Sequence, residues 1–340
     1  MDRWIYWFDE LGQELNDFVG KKCANLGEMT CMGLRVPPGF ALSLKACTDF
    51  MTLSGAEGEI KAYLDKAGPD LHRIEALNEA SADLRNIVDS KEIPGEIREA
   101  IVSCYQQLCA RCNTPDVAVS VRSAGAKSHP GQYETHLNVR GESEVTSKVK
   151  KVWSSAFNPR SIAARKRAGL PLHSDPIGVA VLKMVNARCA GVLFTADPNT
   201  GDHSRMIIEA NWGLGESVVG GQAMPDVFIV QKDNLEIIER RLGDKGRVVK
   251  CHYQGVVEEQ ASEEQKCAFC LTDEEVVEIG RLGKVLEERF KVPQDVEWAV
   301  ECNQACPESV ILLQTRAGVI AQKADPVDQV INLMIGRFSS

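Results

Sequence analysis

Residues able to do chemistry gather first in SVRSAGAKSHPGQYETHLNV, Ser120 to Val139, where a single arginine, Arg122, follows an apolar run and precedes a small, glycine-containing loop. His129 stands in that loop beside Pro130 and Gly131. Two readings compete: a reactive histidine, or a clamp for an anionic ligand in which arginine supplies a planar fork of donors. A loop histidine with no neighbouring base or carboxylate is more often solvated or hydrogen-bonded than catalytic, which favours the clamp. The thiols form a second set. Cys109/Cys112 and Cys267/Cys270 have CxxC spacing, and Cys302/Cys306 is a third close pair. The halves of a zinc site usually lie within about 20 residues of each other, whereas here one CxxC pair ends at residue 112 and the next begins at 267. The first pair also lies in IREAIVSCYQQLCARC, a helical pattern, so buried or half-buried free thiols are expected rather than a metal site.

The chain that must position these groups has 340 residues, long for one core and suited to two joined lobes. It is 44% apolar and 26% charged, with a formal charge of −9 that argues against a general nucleic-acid binder. A polyphosphate ligand would therefore need local cations, glycine-rich amides and a metal. No stretch approaches the roughly 18 consecutive apolar residues of a membrane span. The start, MDRWIYWFDE, lacks the basic and apolar regions of a signal peptide, so a cytoplasmic protein with reduced thiols is expected.

Periodicity and turn residues predict a mixed α+β chain. RWIYWFDE reads as a strand, GKKCANLGEMTCMG as a helix stopped by Gly33, and GFALS as a second strand. Residues 45–112 read as mostly helical, with Pro94 placed to start the last helix. DVAVSVRS is a strand and THLNV its return partner; SEVTSKVKKVWSSAFNPRSIAARKRAG is two helices broken at Asn158-Pro159. PIGVAVLKMV, AGVLFTADP, RMIIEANWG, DVFIVQK, LEIIERRLG and GRVVKCHY follow as strands, then a helix over TDEEVVEIGRLGKVLEERF and the strands DVEWAVE and SVILLQTR. There is no internal repeat. A lobe boundary falls near Met184–Arg188, giving an N-terminal lobe over 1–187, a C-terminal lobe over 188–325 and a tail over 326–340 with an apolar stripe (Val327, Val330, Ile331, Met334).

Five blocks, VGKKCANLGEMTCMGLRVPPGFALS, VSVRSAG…GQYETHLNV, AGVLFTADP, EANWGLGESVVGGQAMPDVF and DVEWAVE…ILLQTRA, resemble in order the nucleotide-binding domain of phosphoenolpyruvate synthases and pyruvate phosphate dikinases. The resemblance runs from residue 5 to residue 320 and implies an ATP-grasp fold, two lobes with the nucleotide between them. It places phosphate-binding cations at Lys22 and Arg122 and Mg2+ ligands at Asp295, Glu297 and Gln314, with Gln314 also contacting ATP and, together with Arg316, completing the catalytic end. Lysine as a point charge, arginine as a fork and carboxylates around Mg2+ are what a triphosphate requires. Asp295 and Glu297 are two apart, so on a strand both point to one face, and Gln314 and Arg316 repeat the spacing. The bland alternative for each pair is the solvent face of an amphipathic strand.

The same resemblance puts adenine against the backbone of VLKMV, with Lys183, Met184 and Val185 as the contact positions, and Glu209 and Glu216 facing ATP. The opening loop becomes a phosphate flap, with Gly131, Gln132 and Thr135 at its return and His129 a flap residue. The six histidines, His72, His129, His136, His173, His203 and His252, all lack the Thr-Ser/Gly-Gly-Gly…His-Ala context of the family's phosphorylated histidine. The expected partner is therefore a separate subunit carrying a swivelling phosphohistidine domain and the acceptor site, an organisation similar to the phenylphosphate synthases. The implied reaction moves the ATP β-phosphoryl to that histidine, with AMP and phosphate released, and then to phenol. Other acceptors such as pyruvate, an antibiotic or a glucan remain open, as does a non-catalytic nucleotide sensor. ECNQACPES, between DVEWAVE and SVILLQTR, is longer than the tight hairpin expected there.

Overall fold

The computed structural model describes residues 3–67, 73–125, 133–219, 224–253 and 255–319. The chain divides into two units: Met1–Ala187 with Val249–Glu259 and Ile311–Gln314, and Arg188–Val248 with Gln260–Val310 and Thr315–Ser340. Helices and strands occur in both, so the α+β expectation holds.

In the first unit, β1 (Ile5–Trp7), α1 (Asn16–Val19), α2 (Lys21–Cys31) and β2 (Gly39–Leu42) lead into four helices: α3 (Leu44–Leu53), α4 (Ala56–Ala67), α5 (Ile74–Ser90) and α6 (Gly95–Arg111). Then come β3 (Val119–Ala124), β4 (Thr135–Val139), α7 (Glu142–Ser154), α8 (Pro159–Arg167) and β5 (Gly178–Lys183). The five strands form one sheet in the order β1-β2-β5-β3-β4, every neighbouring pair antiparallel. Apolar residues at helical spacing bind the helices to it: Ile97, Ile101, Tyr105 and Leu108 on α6, and Val145, Val149 and Val152 on α7, all buried. Trp153 stacks on Phe50 at 5.0 Å between ring centroids in the same core. Each fully buried side chain of this kind contributes about 1.5–3 kcal/mol.

The second unit carries β6 (Ala187–Phe194), β7 (Arg205–Trp212), α9 (Glu216–Val219), β8 (Asp226–Gln231) and β9 (Ile237–Arg241). After them come β10 (Arg247–Cys251), β11 (Val256–Gln260), α10 (Glu263–Cys267), α11 (Asp273–Phe290), β12 (Gln294–Glu301) and β13 (Val310–Ala317). Its main sheet has the order β13-β12-β6-β7-β8-β9. Thr272 and Glu275 cap α11 reciprocally. Val276, Ile279, Leu282 and Leu286 form its buried stripe, and at Gly283 a Cβ would come 2.4 Å from Leu193 of β6. The strands β10 and β11 pair as a separate ribbon. Only its ends lie in the second unit; Val249–Glu259 belongs to the first, where the buried Asn138 carboxamide donates to the carbonyls of His252 and Gly255.

Most predicted elements are found where spacing placed them, including the helix break at Asn158-Pro159, which is a short 3-10 turn over Ser155–Phe157. The strand β11 was not anticipated. Its sequence, VVEEQ, is largely exposed and lacks alternation. Among the described residues no helix is long and apolar enough to cross a membrane. The tail 326–340 lies outside the described residues.

Candidate functional site

Two glycines place α2 against the ends of β3 and β5. Gly20 has φ 83°, and a Cβ there would lie 2.0 Å from the Ala124 carbonyl oxygen. At Gly178, a Cβ would lie 2.2 Å from the carbonyl oxygen of Val19 and 3.1 Å from that of Ala124. No other residue tolerates such approaches with the backbone where it is. The Lys21 amide then donates to the Gly125 carbonyl at 3.1 Å, so the first turn of α2 is fixed beside the root of the glycine-containing loop. Lys22 is the second residue of that helix and Arg122 the fourth of β3. Next to Lys22, burial pushes the Cys23 thiol up to about 12, which keeps it protonated and removes it as a nucleophile.

Arg122 pairs across the sheet with Ala180 of β5 and Thr135 of β4. Its flanking valines, Val119 and Val121, enter the core, while the arginine is half-buried on the other face. One terminal nitrogen donates to the Leu313 carbonyl at 3.3 Å and the other to Gln314 Oε1 at 3.1 Å. The Leu312 amide donates to the Arg35 carbonyl at 2.8 Å, which holds the same short segment. Thus three expected residues, Arg122, Gln314 and Thr135, share one region of the first unit. In the proposed adenine segment, the Lys183 amide is bound to the Pro38 carbonyl at 2.9 Å and the Met184 amide to the Ala118 carbonyl at 2.8 Å. Gly131, Gln132 and His129 lie outside the described residues.

In the second unit, Asp295 and Glu297 share one face of β12. Gln294 turns to the other face, accepting from Thr315 Oγ1 at 2.8 Å. Asp295 is paired with Arg316 at 3.2 Å. Burial raises its pKa, and the guanidinium of Arg316 only partly opposes that. Among the described residues no group of three His, Cys, Asp or Glu is arranged to hold a metal. The donor set nonetheless fits Mg2+, which binds through one or two carboxylates and completes its octahedron with water and substrate phosphates. Glu209 on β7 is half-buried, and burial alone raises its pKa. Glu216 is exposed in the first turn of α9.

Cys109, Cys112, Cys302 and Cys306 are half-buried thiols and Cys270 a buried one, whereas Cys267 is exposed, against the expectation of burial. One feature escaped sequence reasoning. Lys245 and Asp226 form a fully buried ion pair at 2.6 Å, and Asp226 also accepts from the amides of Gly243 and Cys270 at 2.8 and 2.9 Å. Four bonds thereby tie three loops of the second unit, counting Lys245 to the Ala268 carbonyl at 2.7 Å. The only trace in the sequence is the aspartate of MPDVF.

A family model for the pyruvate phosphate dikinase, AMP/ATP-binding domain matches residues 16–333. The chain belongs to this family. It is similar to a probable phosphoenolpyruvate synthase of Methanocaldococcus jannaschii, 36% identical over 308 residues that make up 88% of this chain and 26% of that protein. It is also similar to the phosphoenolpyruvate synthase of Aeropyrum pernix, 34% identical over 92% of this chain and 42% of that protein. A probable phosphoenolpyruvate synthase of Methanothermobacter thermautotrophicus is 34% identical over 88% of this chain and 44% of its own length. The chain thus spans less than half of each of these relatives. As a dikinase-type AMP/ATP-binding domain it has a nucleotide for a ligand.

Proposed function

We propose that this dikinase-type domain has the ATP-grasp fold and binds Mg-ATP for phosphoryl transfer to a histidine carried on another domain or polypeptide. The observation that carries the reading is Arg122. It is a half-buried cation whose guanidinium donates to the Leu313 carbonyl and to Gln314 Oε1, on a strand whose end is joined through tight glycine contacts to the helix bearing Lys22. Both cations engage the polyphosphate, Lys22 as a point charge and Arg122 as a fork. Val185 reads the adenine edge, and Gly131, Gln132 and Thr135 border the phosphates. Glu209 faces the nucleotide. Asp295 and Glu297 would hold Mg2+, which when bound neutralises phosphoryl charge. Arg316 keeps Asp295 oriented.

In the balanced reaction, ATP, a histidine and one water yield AMP, inorganic phosphate and a phosphohistidine bearing the former β-phosphoryl. The histidine nitrogen displaces AMP from Pβ, so that the Pα–O–Pβ linkage breaks as a Pβ–N bond forms, and water cleaves the Pβ–O–Pγ linkage, its oxygen bonding to Pγ as inorganic phosphate leaves. The phosphoryl then moves to the final acceptor. The names of the relatives favour pyruvate as that acceptor, and the resemblance to phenylphosphate synthases favours phenol.

Incubation with Mg-ATP labelled at the β-phosphate tests this. Alone, the chain should form no acid-labile phosphohistidine. With a histidine-bearing swivelling protein supplied, the label should appear there together with AMP, and should then pass to pyruvate or to phenol. Label on this polypeptide, or ADP in place of AMP, would refute the relay.

A further inference from the structure

We infer that Gln294 is a positioning residue for Asp295: its buried carboxamide, clasped by Thr315, sets the register of β13 on β12 and so brings Arg316 to the Asp295 carboxylate. The inference rests on the reading of Asp295 as a Mg2+ ligand.

The polar groups of Gln294 are all engaged. Its amide donates to Thr195 Oγ1 at 2.8 Å and its carbonyl accepts from the Thr195 amide at 2.9 Å, which ties it to the end of β6. Its Oε1 accepts from Thr315 Oγ1 at 2.8 Å, and Nε2 donates to the carbonyls of Val292 and Pro293 at 2.9 and 3.1 Å. Thr195, Gln294 and Thr315 are all buried. A pair of buried polar side chains adds little stability over apolar ones of the same shape, because folding exchanges bonds to water for bonds to protein. It does penalise any pairing of the strands that leaves one partner buried and unsatisfied.

β13 is a strand whose register needs such a device. It stands at one end of the strand order, held by a sheet neighbour on one side. The connection from β12 covers residues 302–309, so no two-residue turn dictates the pairing. Alternation along β13 then breaks: Val310 and Leu312 are buried, Leu313 and Gln314 are both half-buried, and Thr315 is buried again. Pairing at the loop end therefore does not carry through to Thr315. Beyond the break, Gln294 meets Thr315 on one face and Asp295 meets Arg316 at 3.2 Å on the other, two adjacent residues bonded to two adjacent residues. A slip of one residue reverses both faces, taking Arg316 from Asp295 and leaving the Gln294 carboxamide without Thr315. Backbone bonds such as that from the Gly318 amide to the Pro293 carbonyl, at 2.8 Å, can form in other registers; the side-chain clasp cannot.

Four quantities would be measured for the full chain: the Mg2+ midpoint for binding of a non-hydrolysable ATP analogue, analogue affinity without metal, melting temperature, and amide exchange of residues 315–318 in the metal-free protein. The variants are Gln294→Met, Thr315→Val, Gln294→Met/Thr315→Val, Thr315→Ser and Asp295→Asn. Loss of the clasp should raise the Mg2+ midpoint at least about tenfold and speed exchange over 315–318, with metal-free affinity unchanged. The double variant, apolar on both sides, should melt close to the parent and share the raised midpoint, so a single variant that fails to fold leaves the test intact. Thr315→Ser keeps the hydroxyl and should behave as the parent. A parent-like Mg2+ midpoint in the double variant, with a raised one in Asp295→Asn, would overturn the inference and leave the metal reading standing. So would a loss of metal-free affinity as large as the change in Mg2+ midpoint, because the clasp would then support the unit in general. A midpoint unmoved by Asp295→Asn would remove Asp295 from the metal site, and the inference would fall with it.

Discussion

The two arginines that the sequence put forward are alike in type and differ in company. Arg122 could be singled out because it interrupts an apolar strand, but its partners could not. Leu313 and Gln314 lie 191 and 192 residues away, and nothing local encodes that meeting. The face shared by Asp295 and Glu297 was legible, because a period of two needs only the strand. The pairing of Asp295 with Arg316 required the neighbouring strand as well. Glu209 is the residue with a measurable pH consequence. Burial holds its folded-state pKa above the ordinary glutamate value, with no cation among the causes. The folded state thus favours the protonated form. Its contribution to stability is fully present below the unfolded pKa and is lost as pH rises through the folded one. Glu209→Gln should therefore melt higher than the parent, by a margin that grows as pH rises from the ordinary glutamate range through the raised folded-state pKa, while binding nucleotide less well. A margin independent of pH would show that the carboxylate is not desolvated, and unchanged nucleotide binding would make it a structural residue.

At the scale of elements, the strands and helices that follow a clean apolar period were readable, from α2 to β13. The exposed ribbon strand β11 was not, because a half-solvated VVEEQ carries no alternation. Nor could spacing foresee the contacts that give α2 its place. Those depend on Gly20 and Gly178 meeting Ala124 and Val19 from separate parts of the chain. In the sequence they are two ordinary glycines. Replacing Gly178 by alanine forces a methyl group toward two carbonyl oxygens and should cost roughly 1–3 kcal/mol. Gly20→Ala adds left-handed backbone strain to a similar clash. Chemical denaturation would measure both, and because α2 carries Lys22, nucleotide affinity should fall as well. Full stability in either variant would mean that α2 can be displaced at no cost.

For the whole molecule, composition narrowed the possibilities, and ordered motifs then identified the family. The charge of −9 argues against a broad phosphate-binding face, so affinity for a polyphosphate is expected from a few placed cations. All twelve cysteines are free thiols, so neither unit is stapled by a disulfide. Membership of the pyruvate phosphate dikinase AMP/ATP-binding family accounts for the order of the blocks over residues 16–333. The acceptor could not be read from this chain, which spans less than half of each of the relatives it matches. The central claim is Mg-ATP binding through Lys22 and Arg122, and calorimetric titration of the full chain with a non-hydrolysable ATP analogue tests it most directly. One Mg2+-dependent site is expected, weakened by about 1.5–3 kcal/mol in Lys22→Ala through loss of a charge-assisted phosphate contact. Absence of binding, or a Lys22→Ala protein that binds like the parent, would contradict the account.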